Sequence, residues 1–138
     1  MFFSLPRPVF DANASAGGEF GALPDWDLGD LYPAPDAPEV GRDLDWLKGA
    51  CADFAAAYEG RLASLDAAGM LACIRAYEDI ERIAGRLMSY AGLRYYQNTL
   101  DPARAKFMSD CQDKVTDYTT PLVFFSLEFN RIEDAAYA

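Results

Sequence analysis

The stretch that decides the fold is Asp101–Ile132, DPARAKFMSDCQDKVTDYTTPLVFFSLEFNRI. Its apolar residues fall at Met108, Cys111, Val115, Tyr118, Leu122, Phe125, Phe129 and Ile132. Steps of three and four in alternation put all eight on one face of a helix, and no strand has that period. Asp101-Pro102 opens the stretch as a start signal: a carboxylate to cap free backbone amides, then a proline whose missing donor costs nothing in the first turn. Pro121 lies within the stripe, removes one backbone donor and crowds the carbonyl of Asp117, so a bend is expected there. Because the stripe continues past Pro121, the helix should continue as well. Val123-Phe124-Phe125, the one short run with strand character, sits inside this helical pattern.

Two further stripes lie upstream. Val40, Leu44, Leu47, Cys51, Phe54 and Tyr58 mark a helix beginning near Pro38, with Asp36 as its expected cap and Gly60 as the residue that ends it. Cys73, Tyr77, Ile80, Ala84, Leu87 and Ala91 mark a second, capped by Asp66 and running to about Gln97. Met70, Ile74, Ile83 and Tyr90 widen its stripe, which predicts neighbours on two sides. Gly85 and Gly92 weaken that helix, and close helix approach is their expected use. Glu133-Asp134 followed by Ala135-Ala136-Tyr137-Ala138 reads as the first turn of a fourth helix. The predicted fold is therefore all-α: about three long antiparallel helices and the start of a fourth, preceded by an extended N-terminal segment. Such a chain ends before its last helix packs, which leads us to expect a fragment of a larger protein.

Residues 1–22 read as a flexible lead, and 23–138 as one helical domain. Leu23–Pro33 is punctuated by proline, hence extended or turning, yet it carries Trp26, Leu28, Leu31 and Tyr32. These four are expected to dock in a groove on the helices, with the Trp26 ring largely buried. The paired aromatics Tyr95/Tyr96 and Phe124/Phe125 lie on adjacent helix faces. One three-helix core should not accept both members of such a pair, so Phe124, Phe125 and Phe129 are predicted to contact another part of the protein. Alone, the chain is expected to self-associate through this surface.

Composition removes whole classes of function. A net charge of -10 repels nucleic acid and anionic lipid alike, and no basic patch offsets it. No run of residues is long and apolar enough to suggest a membrane span. The absence of histidine removes Ser-His-Asp and Cys-His catalysis, His-bearing zinc motifs and the Glu-x-x-His di-iron pattern. Gly17-Gly18 leads into Glu19-Phe20 rather than a phosphate-cradling Gly-Lys-Ser/Thr. Glu78, Asp79 and Glu81 beside Arg75, Arg82 and Arg86 read as a solvated face, with Glu78 and Arg82 in the favourable order for a surface pair. Asp110, Asp113 and Asp117 lack the spacing of a calcium loop. Cys51, Cys73 and Cys111 are widely spaced on apolar faces, as buried free thiols in a reducing cytoplasm would be. At the start of the chain, Pro6 and Pro8 interrupt the apolar residues, which speaks against a secretory signal.

Five pieces of the sequence together resemble one family. Leu23-Pro24-Asp25-Trp26-Asp27-Leu28-Gly29-Asp30-Leu31-Tyr32-Pro33 resembles the "P-x-W-D-L-x-D-L-Y" opening of the oligoendopeptidase F group, within the thimet-oligopeptidase-like zinc peptidases. Tyr58-Glu59-Gly60-Arg61-Leu62 is similar to its "Y-x-G-K-L", with arginine in place of lysine, and Ser89-Tyr90-Ala91 to its "S-Y-A". Asp101-Pro102 precedes the third helix as in the group, and Phe124-Phe125-Ser126-Leu127-Glu128-Phe129-Asn130 resembles "F-F-x-L-E-L-N". The resemblance implies the N-terminal helical domain of a zinc endopeptidase that cuts short peptides inside an enclosed channel. Its zinc and its His-Glu-x-x-His motif belong downstream of the matched region. No catalytic or metal-binding position is therefore expected in this chain, which holds no cofactor of its own and is inactive alone. Its partners would be the remainder of the parent enzyme and, in the full protein, short peptides. The alternative is a self-contained helical interaction module without enzymatic activity.

Overall fold

The computed structural model describes residues 26–132. The expectations for the lead at 1–22, for residues 23–25 and for the helical turn after Ile132 lie outside the described residues. Four α-helices follow in order: α1 (Pro38–Tyr58), α2 (Ala67–Gln97), α3 (Pro102–Thr119) and α4 (Val123–Phe129). Single 3-10 turns at Leu62–Ser64 and Thr120–Leu122 complete the regular structure, and the described residues contain no strand. The fold is all-α.

Local chemistry explains the boundaries. The Asp66 carboxylate accepts from the Gly69 amide at 2.7 Å, and that of Asp101 from Ala103 at 2.8 Å, each supplying an acceptor to a helix end. Gly60 adopts φ 74°, the left-handed conformation that lets the chain leave α1. The start of α1 departs from expectation. Ala37, not Asp36, is its N-cap and makes no side-chain bond. Pro38 suffices there, because its fixed φ and absent donor already suit a first turn. At Pro121 the chain tightens into the 3-10 turn and resumes as α4, so the stripe carries over only in part: Leu122 is buried and Phe125 and Ile132 are half-buried, but Phe129 is exposed and Phe124, off the stripe, is buried in its place.

Cross-helix contacts fix the topology. Asp43 of α1 meets Arg86 of α2, and Phe54 meets Tyr77, so these helices run antiparallel. Tyr90 of α2 meets Phe107 of α3, and the Leu87 carbonyl meets Cys111. α3 thus returns alongside α2, and Lys48 of α1 lies over the Tyr118 ring of α3. Leu47, Cys51, Phe54, Ile80, Leu87, Cys111, Val115 and Leu122 fill the space between them.

At 31 residues α2 is about 46 Å long, whereas the 21 residues of α1 cover only about 31 Å. The last turns of α2 therefore extend beyond the start of α1. The segment from Trp26 to Ala37 lies along them: Tyr32 packs on Tyr90, and the Gln97 side chain donates to the Trp26 carbonyl at 2.8 Å. Neither interior glycine of α2 serves a close helix approach. A Cβ at Gly85 would meet nothing within 4 Å, and one at Gly92 would meet only the Tyr96 ring of the same helix, at 3.9 Å.

Candidate functional site

Two constellations join distant parts of the chain, and both involve residues singled out from sequence. The first holds the N-terminal segment. Asp27 accepts from the Gly29 amide at 2.9 Å, and the Leu31 and Tyr32 amides donate back to the Leu28 carbonyl, which winds Trp26–Tyr32 into a single turn. That turn drives Tyr32 inward, where it is 1% exposed. Its hydroxyl donates to Asp43 Oδ2 at 2.6 Å, its ring stands edge-on to Tyr90 at 5.2 Å, and the Arg86 guanidinium lies 4.3 Å from its ring centre. Arg86 also donates to Asp43 Oδ2 at 3.3 Å and to the Leu31 carbonyl. One guanidinium thereby ties the segment to α1 and α2 at once. Burial, and then the Asp43 carboxylate, push the Tyr32 hydroxyl well above the ordinary tyrosine range.

Leu28 and Leu31 are half-buried and packed against the core. Trp26 is not buried: it is 55% exposed. The expectation that its ring would anchor the segment is corrected here. The indole lies at the start of the turn, where α2 offers Gln97 to its backbone, whereas Tyr32 falls between α1 and α2, against Asp43, Arg86 and Tyr90.

The second constellation closes the other end of the bundle. The Glu128 carboxylate of α4 accepts from the Gly60 amide at 2.6 Å and from the Leu62 amide at 3.4 Å. Both amides belong to the turn between α1 and α2 and lack partners in a helix. Here the aromatics form one cluster: Phe54 contacts Tyr58, Tyr77, Phe124 and Phe125, and Tyr77 stacks on Phe125 at 4.2 Å. The predicted incompatibility of Phe124 and Phe125 with one core does not hold. Phe124 is buried in the core and Phe125 half-buried against it, because the 3-10 turn re-aims α4 and Phe54 offers contact to both rings. Phe129 remains exposed, with Val123 and Leu127 on the same short helix.

The ionisable groups elsewhere are spread out. Arg82 pairs with Asp79 at 3.1 Å rather than with Glu78, the i,i+3 neighbour being as close on a helix surface as the i,i+4 one. Cys51, Cys73 and Cys111 are buried free thiols, and burial raises all three, Cys51 to about 11. Thiols so shifted are protonated near neutral pH and are poor nucleophiles. Among the described residues no three His, Cys, Asp or Glu side chains stand together as a metal-binding group, and no helix is long and apolar enough to cross a membrane. What these two constellations do chemically is hold backbone in place.

Neither family models, nor curated proteins, nor solved structures yield a match to this chain.

Proposed function

We propose that this chain is the N-terminal helical domain of an oligoendopeptidase F-like zinc endopeptidase of the cytoplasm, forming part of the wall around its peptide channel. One observation supports the reading most. Four of the five sequence pieces that resemble the family are not scattered over the surface; they meet in two pairs. Tyr32 of the opening motif packs on Tyr90 of Ser89-Tyr90-Ala91. Glu128 of Phe124–Asn130 holds the amides of Gly60 and Leu62 in Tyr58–Leu62. Residue types at these positions therefore answer to architecture, as expected for a wall domain whose chemistry lies elsewhere. Val123 and Leu127, four apart on one side of α4, and Phe129 on another are exposed apolar surface that later helices of the parent would cover.

Under this reading zinc, its ligands and the water-activating glutamate come from the remainder of the parent enzyme, and the substrates are short peptides able to enter the channel. The test is the coding sequence beyond the codon for Ala138, together with the metal content of its product. An in-frame His-Glu-x-x-His and about one zinc per expressed molecule are expected. A stop codon directly after Ala138 would overturn the proposal and leave a helical interaction module.

A further inference from the structure

Between α1 and α2, sharing Phe54 and Tyr58 with the aromatic cluster of the second constellation, lies a cleft of about 320 Å³. Trp46, Phe54 and Tyr58 give it aromatic surface, Asp53 and Asp79 supply one carboxylate from each helix, and three alanines keep its floor low. Trp46 is 44% exposed, although the α1 core stripe runs immediately beside it at Leu47, which is fully buried. An indole left half in water beside a trough is a ring face available to a ligand. Aromatic faces attract cations through their quadrupole, and carboxylates attract them through charge. The two features act together on one class of ligand, a flat or compact organic cation on an apolar stem.

We infer that this cleft binds the basic side chain of an extended peptide segment, with the cationic head between Asp53 and Asp79 and the alkyl stem against Trp46. Arginine fits the arrangement better than lysine, because its planar guanidinium can stack on indole while donating to two carboxylates. Asp79 already meets Arg82, but those side chains are 60% and 66% exposed, and a surface pair of this kind exchanges readily. Asp53 has no ion-pair partner among the described residues. The inference stands on the cleft alone and does not rest on the peptidase reading.

The test uses the full chain with Trp26→Phe, which leaves Trp46 as its only tryptophan. Acetyl-Leu-Arg-Leu-amide is titrated against its citrulline counterpart, which has the same shape and no charge. Trp46 emission should change saturably with the arginine peptide, and amide resonances of Ala50, Ala57 and Ala76 should shift. The citrulline peptide should bind at least about fivefold more weakly, the ratio reached by exposed ion pairs at the upper end of their range. Raising salt to about 0.5 M should reduce binding of the arginine peptide only, a readout that needs no variant. Asp53→Asn with Asp79→Asn should abolish the difference between the two peptides while circular dichroism stays unchanged. Equal binding of both peptides, no saturable change with either, or resonance shifts confined to other faces would each overturn the inference.

Discussion

Replacing Tyr32 tests the docking of the N-terminal segment with a magnitude that the structure supplies. The side chain is 1% exposed, so Tyr32→Ala removes a whole buried ring, which costs about 3–5 kcal/mol. Tyr32→Phe keeps the ring and deletes only the 2.6 Å bond to Asp43. A hydrogen bond to a charged partner contributes about 1.5–3 kcal/mol, and Asp43 keeps Arg86 after the change, so a loss of about 2 kcal/mol is expected. Trp26→Ala, at a ring more than half exposed, should cost about 1 kcal/mol or less. Urea denaturation followed by circular dichroism measures all three, provided the slope is unchanged, so that midpoint shifts report stability. The same node carries a pH signature. The Tyr32 hydroxyl is raised in the folded chain above its unfolded value near 10, so its contribution is fully present below about pH 10 and is lost as pH rises beyond it. Tyr32→Phe should therefore flatten the alkaline decline relative to wild type, leaving the parts due to Tyr77 and the thiols. A Tyr32→Ala cost below about 1 kcal/mol, or one no larger than that of Trp26→Ala, would refute the assignment of Tyr32 as the anchor.

Gly85→Ala should stabilise the chain by about 0.5–1 kcal/mol in the same assay, since the site is an exposed helix interior with open space around an added Cβ; destabilisation would mean that a partner covers it. Ellman's reagent at pH 8 should find no fast-reacting thiol in the folded chain and three in denaturant, because Cys51, Cys73 and Cys111 are buried and shifted upward. Prompt reaction of any one of them would show an opening near that residue. Sedimentation should show self-association that strengthens with salt, as screening of the -10 net charge lets the Val123, Leu127 and Phe129 faces meet. Phe129→Glu should favour monomer with helix content intact, whereas a monomer at high salt for the unaltered chain would remove the exposed side chains of α4 as an interface.

The legible parts of the fold were those decided within one turn of chain. Asp66, Gly60 and Asp101-Pro102 mark helix ends because the groups they satisfy lie two to four residues away. The stripes through Leu47, Leu87 and Val115 give the core because helical period alone brings them to one face. Contacts between elements were not legible. Nothing in the local sequence distinguishes Trp26 from Tyr32 as the anchor; the choice depends on Asp43 and Arg86 arriving from two other helices. Glu128 of α4 binds amides 66 and 68 positions away, a pairing that no local pattern announces. The Phe124/Phe125 pair was misjudged for a related reason, since the turn at Pro121 changes which faces of α4 are available. The candidate site follows the same division: its residue types were visible, and their pairing was not.

Peptide cleavage tests the central proposal most directly. An internally quenched peptide of about nine residues is offered, side by side, to the 138-residue chain and to the product of the complete reading frame. No turnover is expected from the chain, whose catalytic metal and its bound water would belong to the remainder of the parent, and chelator-sensitive turnover restored by zinc is expected from the complete product. Chelator-sensitive cleavage by the chain alone, or none by a zinc-loaded complete product, would contradict the proposal.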